Sequence, residues 1–232
     1  MKILGIETAT HSGGAALLEE SGLCGSVCFR TRKLYSQRLL PSLEWLLDKA
    51  ETTVEDITTV GVSIGPGSFT GLRIGLSVAK ALAYAGQAQV VGVGTLEALA
   101  VRASAGRDGA LVCPVLDARQ GQVYAALYRV HWNDGWPTLT TVRDDWAGPV
   151  DELRDWIEHA DGPVTIAGDA TDLVQEHLSD GAHAGIALAP LHLRLPHPEE
   201  VALLAASRAR AGQHDNLMLL EPRYVRQSYT QR

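Results

Sequence analysis

The chain has 232 residues, enough for one large domain or two small lobes with a buried core. Apolar residues make up 46 % and charged residues 20 %, as in an ordinary globular protein, while aromatics at 6 % leave the core to Leu, Val, Ile and Ala. A net charge of −7 excludes a free-standing nucleic-acid binder, which needs a basic patch, but not a place in a complex whose other subunits carry positive charge.

In chain order, "KILGIETAT", "GGAALLEES" and "LCGSVCFRT" read as three strands joined by tight turns. Cys24 and Cys28 fall on one face of the third strand as small core residues. With Cys113 they make an odd count without a disulfide framework, the pattern of reduced thiols and a cytoplasmic setting. No apolar run reaches membrane-spanning length.

Residues 34–50 switch to helical spacing, with Leu39, Leu43, Leu46, Leu47 and Ala50 on one face. Ser36 is positioned to cap this helix, and Pro41 predicts a bend or a late start. Thr52 and Glu55 predict a short capped turn, then "TTVGVSIG" a buried strand. A glycine-rich loop and helix, the strand "QVVGV", the helix "TLEALAVRA" and the polar connection "SAGRDGA" complete a first lobe.

The pattern then restarts. Glu7 precedes Ala15-Ala16-Leu17 by the offsets at which Asp117 precedes Ala125-Ala126-Leu127, a hint of duplication. A helix around "PVDELRDWIEHA", the strand "PVTIAG", the helix "TDLVQEHLS" and an irregular "GIALAPLHLRLPHP" follow. "PEEVALLAASRARAG" ends the series as a helix with acidic residues in its first turn and Gly212 after it. The expected division is 1–105 for the first lobe, 106–198 for a smaller second lobe, and 199–232 for a helix and tail packing back on the first.

The segment "IGPGSFTGLRIGLSVAKALAYAG" has the outline of a phosphate-binding loop. A Walker loop also needs a Lys directly after its last glycine, where this chain has Leu72, with Arg73 next and Lys80 far down the helix. Gly65, Gly67 and Gly71 are spaced one residue too long for a dinucleotide fingerprint, and the next strand ends without a ribose-binding acid. Gly71, Gly75, Ala79 and Ala83 instead recur every four residues, a ridge of small side chains that admits close helix packing, inside the domain or between molecules. Ser68 or Thr70 is suited to cap the helix. The eight histidines are scattered, and the pair His192 and His197 lacks metal-ligand spacing.

"GIETAT", "VSIGPGSFTGLRIGLSVAKALA", "LDARQGQVYAALY" and "EPRYVR" together resemble the TsaB family, the non-catalytic partners in bacterial synthesis of threonylcarbamoyladenosine at tRNA position 37. The resemblance runs from Met1 to Tyr229 and is weakest between 131 and 198. It implies an α/β fold of duplicated lobes with mixed sheets, the two-lobed actin, sugar-kinase and heat-shock-chaperone architecture related to ribonuclease H. Nucleotide-binding relatives reach metal and phosphate from acidic, glycine-bearing hairpins in an interlobe cleft. Here Glu7 and Thr8, and in the second lobe Asp117 with Ala118 and Arg119, stand in a degenerate version of that cleft, so no cofactor is expected. In the catalytic paralogue, TsaD, two histidines four apart hold a metal. Thr95 and Leu99 take those positions here and Glu97 stands alone, which implies no metal and no catalysis.

The resemblance also implies a heterodimer with a TsaD-like paralogue through the helices near 36–50 and 70–85, recruitment of a TsaE-like ATPase, contact with tRNA only through the complex, no membrane, and a homodimer when alone. The interface residues expected from the small ridge and the leucine face are Leu39, Leu43, Leu46, Gly71, Gly75, Leu76, Ala79 and Ala83. The competing readings are a weak nucleotide-binding or ATPase protein using the residual cleft, and a metallopeptidase-like protein. The tail with Arg223 and Arg226 is positive in character.

Overall fold

The computed structural model describes residues 1–30, 35–178 and 185–225. The chain divides into two compact units, Met1–Ala98 with Pro196–Arg223, and Leu99–Leu195. The lobes therefore part within a helix and not at the polar connection after residue 104.

In the first unit, β1 (Ile3–Glu7), β2 (Ser12–Glu19) and β3 (Gly22–Arg30) pair antiparallel, while β4 (Thr59–Gly65) and β5 (Gln89–Gly94) add parallel strands. The sheet order is β3-β2-β1-β4-β5. β1 and β4 are covered on both faces, so their apolar residues run together without alternation. On one face, Leu4, Ile6, Val60, Val62 and Val90 meet helices α1 (Tyr35–Lys49) and α2 (Phe69–Ala85) in a single core. Each large side chain fully buried there contributes about 1.5–3 kcal/mol.

Helix α6 (Pro198–Arg210) covers the opposite face, where Gly5 and Gly61 replace side chains. A Cβ at Gly5 would lie 2.6 Å from the Ala202 nitrogen, and one at Gly61 2.6 Å from Ala205 Cβ. The helix rests almost on the strand backbone, which is why its sheet-facing residues are alanine and valine.

The second unit repeats the plan after α3 (Thr95–Ser104). Strands β6 (Ala110–Arg119), β7 (Gln122–Asn133) and β8 (Trp136–Pro149) pair antiparallel, and β9 (Val164–Ala167) and β10 (Ile186–Leu188) are parallel additions. Read from β8, the order β8-β7-β6-β9-β10 is that of the first sheet. Leu111, Cys113, Val115, Val123 and Ile166 form its core with α4 (Leu153–Glu158) and α5 (Thr171–Leu178).

Several local expectations are corrected. α1 starts at Tyr35, so Ser36 lies inside its first turn and is not the cap, and Pro41 neither delays nor ends it. The turn at Val54–Asp56 is capped by Thr53 with Asp56, one residue on from the expected Thr52 and Glu55. Cys24 is exposed and Cys28 half-buried, because β3 is the sheet's outer strand. β8 occupies a stretch given no strand in the sequence reading, although Asp134 and Gly135, with φ of 50° and 82°, form a two-residue hairpin turn typical of Asp-Gly. β10 lies in the segment read as irregular. Arg226 lies outside the described residues.

Candidate functional site

The glycine loop is pressed against its own chain. Gly65 has φ +121°, and a Cβ there would lie 2.5 Å from the Arg223 carbonyl oxygen. Side chains at Gly67 and Gly71 would collide with the Ala9 and Thr8 carbonyls, and one at Gly75 with Thr8 Oγ1. The Ser68 amide donates to Ala9 O at 2.7 Å, and the Gly71 amide to Ser68 Oγ at 3.2 Å, which makes Ser68 the helix cap. These donors already have partners within the lobe and do not converge on an open anion site.

Glu7 closes β1 with its carboxylate wholly buried on the α6 side of the sheet. Oε1 accepts the Ala9 amide at 2.5 Å, and Oε2 shares a very short hydrogen bond with Ser63 Oγ. Burial pushes its pKa up to about 7; the Ser63 and Ala9 bonds and the charge of His197 oppose that rise without cancelling it. His197 Nδ1 stands 3.6 Å from Glu199 Oε2, and Ser26 Oγ donates to Glu199 Oε1 at 2.6 Å. The Glu7 carboxylate is an internal strut rather than a metal ligand presented to solvent.

Thr8, the next residue, points to the other face. Its hydroxyl donates to the Gly71 carbonyl at 2.8 Å and fills the notch at Gly75.

At the start of α3, Thr95 and Leu99 are buried. Glu97 Oε2 accepts the Gly94 amide at 2.6 Å, Oε1 accepts Arg208 Nη2 at 2.8 Å, and Arg208 Nη1 donates to Gly92 O at 2.6 Å. The carboxylate ties α3 and β5 to α6. Among the described residues no group of three or more His, Cys, Asp or Glu side chains is arranged to hold a metal. In the second unit, Asp117 turns back on its own hairpin: Oδ1 accepts the Arg119 amide at 2.7 Å, and Oδ2 pairs with Arg119 Nη1 at 3.2 Å. The Asp117 amide donates to Asp169 Oδ1 at 2.8 Å.

The eight residues expected at a partner interface are placed differently. Leu39, Leu43, Leu46, Gly71, Gly75, Leu76, Ala79 and Ala83 are all buried inside the first unit, facing its sheet. The small ridge accommodates Thr8 and the strands, not a second molecule, because the sheet is the nearest large apolar surface either helix can cover.

The outward faces of the same two helices carry a different set. Leu40 and Trp45 on α1 are 54 % and 55 % exposed, and Phe69 and Tyr84 stand out from α2. The Arg73 guanidinium stacks 3.8 Å from the Phe69 ring centroid. Between them Ser77 and Ala81 leave α2 low. Exposed aromatics, a stacked Arg and small residues in one face are the composition of an interface core. Leu40 and Trp45 were legible beforehand as large apolar residues out of phase with the buried stripe at 39, 43, 46 and 47.

The family model described as "TsaD: tRNA N6-adenosine threonylcarbamoyltransferase" matches residues 21–231. The tRNA threonylcarbamoyladenosine biosynthesis protein TsaB of Bacillus subtilis is 34 % identical over 97 % of this chain and 94 % of its own length. The structure of YeaZ from Pseudomonas aeruginosa superposes with a TM-score of 0.80 at 28 % identity, over 96 % of this chain and 99 % of that one. The ROK hexokinase of Thermus thermophilus matches at a TM-score of 0.53 and 14 % identity over 91 % of this chain and 100 % of its own, a likeness of fold alone. The duplicated lobes with mixed sheets are those of the actin and sugar-kinase class.

Proposed function

Because the chain carries a TsaD-family domain and belongs to the TsaB (YeaZ) family of tRNA threonylcarbamoyladenosine biosynthesis proteins, we propose that it acts there as a non-catalytic scaffold. In this reading it pairs with a TsaD-like catalytic paralogue, supports recruitment of a TsaE-like ATPase, and meets tRNA only through the complex. The observation that carries the reading is the outward face of α1 and α2, with Trp45, Leu40 and the Phe69–Arg73 pair held in solvent by a rigid lobe. The internal hydrogen bonding of Glu7 and Asp117 supports the non-catalytic part, since both carboxylates already serve their own hairpins.

The test is threonylcarbamoyl transfer to tRNA by purified TsaD-like and TsaE-like partners, supplied with threonylcarbamoyl-adenylate and ATP, with and without this chain. Trp45→Asp is expected to abolish the stimulation, while Glu7→Gln and Asp117→Asn retain it. Loss of activity in the two carboxylate variants with full activity in Trp45→Asp would replace the scaffold with nucleotide chemistry by this chain.

A further inference from the structure

Met218 and Leu219 are the most conspicuous apolar residues outside the two helices, 80 % and 76 % exposed in a segment whose backbone is fully engaged. The Asp215 amide donates to Val90 O at 2.9 Å, and Asp215 Oδ2 accepts the Gly92 amide at 2.7 Å. Asn216 Oδ1 accepts the amides of Met218 and Leu219 at 2.9 and 3.2 Å, and the Leu220 amide returns to Asn216 O at 2.9 Å. Leu217 and Leu220 pack into the core beneath. From α2, Lys80 Nζ donates to the Met218 carbonyl at 3.2 Å. A turn fixed at both ends and in the middle thus projects two large side chains that gain nothing from their own chain.

We infer that this turn, Asn216–Leu220, is a third wall of the docking face and grips the same partner helix that lies on α2; the inference rests on the reading of α1 and α2 as the partner surface. The sheet order supplies the geometry. α1 packs over β2 and β3, α2 over β4, and the turn is pinned to β5, all on one face of the sheet. Along that face the order is α1, α2, turn. The floor is low where α2 presents Ser77 and Ala81, and it rises to Leu40 and Trp45 on one side and to Met218 and Leu219 on the other. A trough with a small-residue floor and apolar walls accepts a helix.

Charge specifies that helix further. α2 carries Arg73 and Lys80 and no acidic residue, whereas α1 carries Glu44 and Asp48 on its exposed side. The occupant is an amphipathic helix of the TsaD-like paralogue with an apolar centre, carboxylates along the edge toward α2 and the turn, and cationic side chains along the edge toward α1. Methionine suits the outer wall, because its unbranched thioether adapts to the ridge it meets.

The experiment measures association of the full chain with the TsaD-like paralogue by calorimetry, for wild type, the turn variant Met218→Asp/Leu219→Asp and the floor variant Ala81→Arg, with amide exchange of residues 216–220 followed in free and bound states. All three substituted side chains are exposed, and matching thermal melts confirm the fold. Both variants are expected to weaken binding by at least about tenfold, and the turn amides to gain protection on binding. If the floor variant fails to bind while the turn variant binds normally and the turn amides are unchanged, the third wall is overturned and the α1–α2 reading stands. If only the turn variant weakens binding, the shared trough is wrong. If neither does, the docking-face reading fails and the inference falls with it.

Discussion

Thr8 Oγ1 sits in the notch left by the absent side chain of Gly75 and donates to Gly71 O at 2.8 Å, locking the end of β1 to the middle of α2. A glycine in mid-helix loses about 1 kcal/mol of propensity against alanine. Here close approach to a threonine accounts for it.

Gly75→Ala is therefore expected to destabilise the protein, by about 1–3 kcal/mol, because overpacking outweighs the propensity gain. Thr8→Ala alone loses the bond to Gly71. The double variant removes the collision and recovers part of the loss, so the two changes are not additive. Chemical denaturation of the four species measures the coupling. Additive losses would show that the notch and the threonine do not meet in solution. It follows that Gly75→Leu damages the lobe itself and cannot report selectively on a partner contact.

Glu7 gives a pH dependence with a definite sign. Its folded pKa of about 7 is above the ordinary carboxyl value of 4.5. The unfolded chain releases this proton first, so the contribution is complete below pH 4.5 and is lost as pH rises to about 7. Ser63, the Ala9 amide, His197 and the Tyr35 hydroxyl are the polar groups around it. Glu7→Gln mimics the neutral acid. It is expected to match wild type near pH 4.5 and to exceed it at pH 8 by up to about 3 kcal/mol. Equal pH profiles for the two proteins would mean that Glu7 is ionised in the fold.

Glu199 works in the opposite window. Burial raises its pKa, but the His197 and Ser26 contacts prevail and hold it down to about 2. Its contribution is present above pH 4.5 and is lost as the pH falls toward 2. Ser26→Ala should shift the acid-unfolding midpoint upward. An unchanged midpoint would remove Ser26 from the network.

Arg208→Met leaves Glu97 without its cation and Gly92 O without its donor. The expected loss is about 1–3 kcal/mol, the pair being only partly screened by solvent. Glu97→Gln, which keeps an acceptor for Gly94, is expected to lose less. Thermal melts of the two variants check the order; an equal or reversed ranking would show that Arg208 contributes through packing alone.

The sequence by itself determined the duplication, the antiparallel starts of both lobes, the Ser68 cap and the long amphipathic helices. These follow from local periodicity and turn chemistry, which act within a few residues of the chain. It also carried the family resemblance, in "GPGSFTGLR" above all. Only the tertiary structure decided which side of α1 and α2 faces outward. Periodicity shows that Leu39, Leu43 and Leu46 share a stripe with a partner, but the partner can be a sheet or another molecule, and here the sheet below covers it. The roles of Glu7 and Glu97 were likewise beyond the sequence, since Ser63, His197 and Arg208 reach them from strands and helices far along the chain. Met218 and Leu219 read as an unremarkable apolar run until Asp215, Asn216 and Leu220 fixed the turn and left the pair exposed. Burial is a property of what the folded chain brings alongside a residue, and no local pattern records it.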